Sequence, residues 1–165
     1  MTFRKMWYLA LCMATLGLAG CSGDAPSTLG MTDGRLTPCP DSPNCVSSQV
    51  ENGYPAMEPI PLSLPADETQ DVLVAALEEM DGVEVVSTEP GYVHAEAKSR
   101  LLGFVDDMEF AIDESDGVIH YRSASRMGYG DMGANRERMV QFWGLYSQVV
   151  EKSGGREVEG FGVSG

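Results

Sequence analysis

An α+β two-layer sandwich is the predicted fold class, with an antiparallel sheet of four to five strands and two helices on one face. Three observations carry it. Four consecutive strand-like segments lie between Val83 and Ser125, with the turn signals "EPG" and "ESDG" among them. Helical periodicity flanks them on both sides. At 165 residues the chain is long enough for one domain with a sizeable core and short for two. The expected order is β-α-β-β-β-β-α.

The first twenty residues stand apart from this domain. Arg4 and Lys5 precede an apolar run from Met6 to Ala19, which is the layout of a secretory signal and too short for a comfortable membrane span. The stretch "LAGC", ending at Cys21, resembles the lipobox of bacterial lipoproteins, where cleavage leaves the cysteine as a lipidated N-terminus. An ordinary signal peptide cleaved nearby is the alternative. Ser22, with no aspartate at that position, resembles lipoproteins sorted to the outer membrane of a two-membraned bacterium. The expected location is therefore an outer membrane, lipid-anchored and facing the periplasm. Residues 21–37 are poor in apolar side chains and read as a flexible tether, 38–152 as the domain, and 153–165 as a disordered Gly-rich tail.

Formal net charge is −14, and losing Arg4 and Lys5 with the signal takes it to −16. A surface so acidic repels phosphate backbones and argues against nucleic acid as a partner. It also discourages the body from lying on anionic lipid, so the acyl chains on Cys21 are expected to hold it at the membrane. Cys39 and Cys45, in "PCPDSPNC", are expected to form a disulfide, given an oxidising compartment and a tight Pro-rich loop. A redox dithiol would more often be C-x-x-C, and a zinc site would need ligands that are not nearby.

The elements follow in order. A short strand is expected at about Ile60 to Leu64. Next comes a helix in "PADETQDVLVAALEEM", opened by Pro65 with acids in its first turn and stopped by Asp81-Gly82. Its apolar stripe is Val72, Leu73, Ala76, Leu77 and Met80. Strands follow at Val83 to Thr88, Tyr92 to Lys98, Phe104 to Asp113 and Val118 to Ser125. The last helix runs from about Met132 to Lys152, with Asp131 as its N-cap and a stripe of Met139, Phe142, Trp143, Tyr146, Val149 and Val150.

A four-residue "ESDG" turn sets Ile112 against Ile119, Phe110 against Tyr121 and Asp106 against Ser125, all facing the helices. The other face carries Asp107, Glu109, His120, Arg122 and Arg126, and Tyr92, His94, Glu96 and Lys98 are candidates to join it. On that face His94 and His120 beside Glu96 and Glu109 could form a metal or acid–base site, against the plainer reading of a solvated sheet face. Arg122, Arg126 and Arg136 could build an anion site. No nucleophile elbow, phosphate loop or triad spacing is present, so no cofactor is expected and catalysis is the less favoured class.

The dense stretch "RSASRMGYGDMGANRER" is expected to join the last strand to the last helix through a polar latch. Asp106 would meet Arg136, with Asn135, Ser123 and Ser125 alongside, because an inward carboxylate must be paired. Arg122 would pair with Glu109 in a more exposed position, and Arg138 would be dispensable.

Three motifs, "CPDSPNCVSSQ", "GFVDDMEF" and "YRSASRMGYGDMGANRERM", resemble the family catalogued as domain of unknown function 1499 over about Thr37 to Lys152. That family occurs in bacterial chains, often lipoproteins, and in plastid-targeted plant ones, and no activity is established for it. The resulting expectation is a binding or scaffolding module of the cell envelope, its partner an envelope protein or small ligand. An envelope hydrolase or metal-dependent enzyme, and a carrier of a small apolar ligand, are the alternatives.

Overall fold

The computed structural model describes residues 24–51, 53–100 and 103–154. Its elements are β1 (Met31–Thr32), β2 (Arg35–Leu36), β3 (Cys45–Ser47), β4 (Ile60–Pro61), α1 (Ala66–Glu78), β5 (Val83–Glu89), β6 (Tyr92–Lys98), β7 (Val105–Asp113), β8 (Val118–Ser125) and α2 (Ala134–Lys152). The expected signal segment, Cys21 and most of the expected tail lie outside the described residues.

The main sheet has six strands in the order β3-β8-β7-β6-β5, with β4 also paired to β8. It is an antiparallel sheet with both helices packed on one side, an α+β sandwich. The extra strand arises because β3 and β4 share one edge of β8. Cys45–Ser47 pairs with its C-terminal half and Ile60–Pro61 with its first two residues. Three residues of β3 hold too little alternation to be legible as a strand. The disulfide between Cys39 and Cys45, with Cα atoms 5.7 Å apart, fixes where β3 begins.

Hydrophobic burial explains the helices. Val72, Leu73, Ala76 and Leu77 of α1 and Met139, Phe142, Tyr146 and Val150 of α2 recur at helical spacing and are buried against the sheet. Phe142 is the hub, its ring 4.6 Å from Phe110 and 5.9 Å from Tyr146, centroid to centroid. After α1 the chain turns sharply at Gly82, whose φ is +75°. A Cβ there would lie 3.0 Å from the Lys98 carbonyl oxygen, so both conformation and space require glycine.

Two expectations need correction. Helix α2 begins at Ala134 rather than Met132, because Met132 and Gly133 both take positive φ, +54° and +86°. Asp131 still serves the helix start, accepting from the backbone N–H of Gly133 and of Asn135, each at 2.9 Å. Part of the expected tether is folded: β1 and β2 form a hairpin, and Leu36 is buried with Tyr92 and Ala111. Leu36, buried where Met31 of the same hairpin is exposed, seats the hairpin on the sheet face away from the helices.

Candidate functional site

The sheet face opposite the helices is a buried charge network. In register, His94, Glu109 and Arg122 stand abreast on three neighbouring strands, and Glu96 and Asp107 form the next rung. Glu109 is fully buried and accepts from Tyr92 Oη at 2.8 Å, Arg122 Nη1 at 3.1 Å and the Gly30 N–H at 2.8 Å. Asp107 accepts from Arg126 through Nε at 2.9 Å and Nη2 at 2.7 Å, and meets His94 Nε2 at 2.8 Å. Arg126 also pairs with Glu96.

Electrostatics follow from that packing. Burial pushes the Asp107 carboxyl up, but hydrogen bonds and charge from Arg126 and His94 outweigh it and hold its pKa below the ordinary value. Desolvation and the neighbouring Glu109 carboxylate raise the Tyr92 hydroxyl, so it remains a donor. The Arg126 guanidinium is raised, first by its hydrogen bond to Asp107. This face is thus a buried ionic layer under a hairpin, where alternation alone implied a solvated surface. It is paired throughout apart from Arg122 Nε, which has no hydrogen-bond partner among the described residues.

Several expected groupings do not form. His94 and His120 sit two strands apart, His94 beside Asp107 and His120 against Ser48 Oγ at 3.2 Å. Asp113 and Asp116, which the sequence reading passed over, instead bring ligand atoms within 4.8 Å of His120. Asp113 Oδ1, however, already accepts from Ser115 N–H, Ser115 Oγ and Asp116 N–H in the turn. The expected anion site is dispersed: Arg122 goes to Glu109, Arg126 to Asp107 and Glu96, and Arg136 to the carbonyls of Tyr54 and Ala56. The Arg122–Glu109 pair is also not exposed, since both side chains are buried.

The latch exists with a different arginine. Asp106 Oδ2 accepts from Arg138 Nη2 at 2.6 Å, and Arg138 is therefore not a spectator. Successive helical residues point about 100° apart, so Asn135 and Arg136 cannot share a face, whereas Asn135 and Arg138 at i, i+3 do. Asn135, fully buried, accepts at Oδ1 from Ser123 Oγ at 2.6 Å and from Arg138 Nη1 at 2.8 Å. Its amide donates to Ser125 Oγ at 3.0 Å, to the Asn44 carbonyl at 3.1 Å and to Asp131 at 2.8 Å.

Above this latch opens the feature that sequence reading missed. A groove of about 570 Å³ is lined by Phe104, Met127, Gly128, Gly130, Met132 and Ala134, with Asp106 and Arg138 at its edge. Its large apolar side chains face outward: Phe104 is 42 % exposed, Met127 49 %, Met132 102 %, and Tyr129 on the same loop 78 %. A methionine held at positive φ and fully exposed is an unfavourable arrangement for stability alone. A second cavity of about 590 Å³ lies at the other end of the sheet, but Asp67, Asp71 and Glu114 line it. The apolar groove is the better candidate for recognition. The signal in the sequence was two methionines and a tyrosine among the glycines of "MGYGDMG", where a connecting loop ordinarily carries polar residues.

A comparison with curated proteins returns no match. A family described as "Protein of unknown function (DUF1499)" matches residues 35–144, from β2 through the middle of α2 and including the groove, the latch and the ionic face. The chain therefore belongs to the DUF1499 family.

Proposed function

We propose that this protein is a lipid-anchored component of the cell envelope, held through Cys21 at an outer membrane and facing the periplasm, and that its domain is a binding module. One observation carries the binding reading: an apolar groove lined by outward-facing Phe104, Met127 and Met132, with exposed Tyr129 on the same loop, in a strongly acidic chain. The enzyme alternative needs an accessible polar face. Glu109, Asp107 and Arg122 are instead buried and engaged with one another's neighbours beneath the β1–β2 hairpin.

Metabolic labelling with palmitate tests the anchor: the wild type takes up label and Cys21→Ser does not. An unlabelled wild type would remove the lipoprotein reading. For the binding surface, a photo-crosslinking residue at Tyr129 should give adducts in intact cells that the same residue at Glu114 does not give. Identical patterns from the two positions would count against the groove. Replacing His94 and His120 should leave the phenotype unchanged wherever the domain still folds.

A further inference from the structure

We infer that the loop from Met127 to Met132, with Phe104, is a second membrane contact, docking the domain against the lipid bilayer that carries its anchor. The inference rests on the lipid-anchored reading above and names what the groove end meets.

Three observations converge. The first is shape and chemistry. Phe104, Met127, Tyr129 and Met132 project outward from one end of the sandwich, where they bury little apolar surface within the domain. Aromatic and thioether side chains on a protruding Gly-rich loop suit the boundary between headgroups and acyl chains.

Charge is the second. No Lys or Arg occurs between residues 36 and 97, nor between 103 and 121. The opposite end of the sheet is acidic, with Asp67, Asp71 and Glu114 around its cavity. At the groove end, Lys98, the last residue of β6, and Arg100, in the connection leading to Phe104, are exposed. Among the described residues neither joins an ion pair, and Lys98 shares a hollow with Asp81 and Glu137. Of the two carboxylates lining the groove, Asp106 is paired with Arg138 and Asp131 is occupied by the start of α2. An anionic lipid surface would repel most of this body and tolerate this end.

The third is reach. Gly30 is hydrogen-bonded to Glu109, so no more than nine residues separate the lipid-bearing Cys21 from a fixed point on the sheet. That chain spans at most about 30 Å when fully extended. Asp106, beside the groove, lies three residues from Glu109 along β7, roughly 10 Å at strand spacing. The groove is therefore within reach of the bilayer surface, and docking needs only a rotation of the domain on its short leash.

The test uses the full lipidated chain on vesicles of phosphatidylethanolamine and phosphatidylglycerol that include a headgroup-proximal spin-labelled lipid. An environment-sensitive fluorophore is attached at Met132→Cys, at Tyr129→Cys as a second site on the loop, and at Glu114→Cys on the acidic end. Docking predicts a blue shift and several-fold quenching at both loop sites and an aqueous signal at Glu114. It also predicts that Lys98→Ala with Arg100→Ala reduces loop quenching. If the chain floats with the vesicles while the loop probes stay as aqueous as the Glu114 probe, docking is wrong and the anchor stands. Should the chain carry no acyl label and not float, the anchor reading fails. A loop response on vesicle addition would then still support docking, and silence would sink both. A small apolar molecule co-purifying in the groove by native mass spectrometry would overturn docking in favour of a carrier.

Discussion

Glu109 and Phe110 are neighbours in the chain, both are completely buried, and they lie on opposite faces of the same strand. Phe110 packs against Phe142 and Tyr121 beneath the helices, where non-directional apolar burial suffices. Glu109 lies beneath the N-terminal hairpin and is tolerated only because Tyr92, Arg122 and the Gly30 N–H all donate to it. The two faces teach different lessons about burial. The helix side can be repacked by volume, whereas the hairpin side holds its register by pairing, each charge being costly once its partner is gone.

The comparison can be broken most directly at its centre. Phe110→Ala should destabilise by ~3–5 kcal/mol through lost burial and a cavity. Glu109→Ala should cost a similar ~3–5 kcal/mol by stranding Arg122. Calorimetry on a double replacement separates the mechanisms: Glu109→Leu with Arg122→Met should recover most of that loss, because the pair as a whole contributes little net stability. Failure of the double variant to recover would mean that the ionic layer is needed for more than charge balance.

Leu36→Ala tests whether the hairpin is what seals the polar face. A loss of ~2 kcal/mol is expected, at the low end for a buried leucine because the cluster around it is small. Amide exchange should accelerate across β1, β2 and Gly30 first, with the helix-facing strands still protected. Uniform acceleration would show that the two faces unfold as one unit.

A smaller effect is expected at the latch. Arg138→Ala should lower stability by about 1–2 kcal/mol, since its pair with Asp106 is mostly but not wholly shielded. Arg136→Ala, which gives up carbonyl contacts at a more exposed site, should cost less, about 0.5–1 kcal/mol. Thermal melts in which Arg136→Ala is the more damaging would reverse the assignment.

Acid sharpens the contrast between the faces. The Asp107 pKa is lower in the folded chain than its ordinary 3.8, so the stability it supplies is complete above that value. It is lost as pH falls through the depressed folded pKa. Denaturant titrations should therefore show a steep stability loss below pH ~4 that is shallower in Asp107→Asn. An unchanged slope would place the acid sensitivity elsewhere.

The smallest stability effect belongs to the groove. Met132→Gly should raise stability slightly, on the order of 1 kcal/mol, by relieving a left-handed residue. Membrane quenching of the loop should weaken in the same variant. A variant that loses stability instead would point to a structural role for this methionine.

By itself, the sequence determined the two helices, the four consecutive strands β5 to β8 and the register of the β7–β8 hairpin. Periods of two and 3.6 residues are local properties, and the "ESDG" turn set Asp106 opposite Ser125, Phe110 opposite Tyr121 and Ile112 opposite Ile119, as observed. The Cys39–Cys45 disulfide was legible for the same reason, a short loop between two cysteines. Tertiary structure alone decided which polar residues are buried. Alternation says that Glu109 and Arg122 share a face, but whether that face meets water depends on Leu36, some seventy residues away, finding Tyr92 and Ala111. It likewise decided that Arg138 rather than Arg136 reaches Asp106, since one residue along a helix turns a side chain through about 100°. The groove depended on two segments distant in sequence, one around Phe104 and one from Met127 to Ala134, meeting at one end of the sheet. No local pattern encodes such a meeting, because the free energy that brings those segments together comes from the core beneath them.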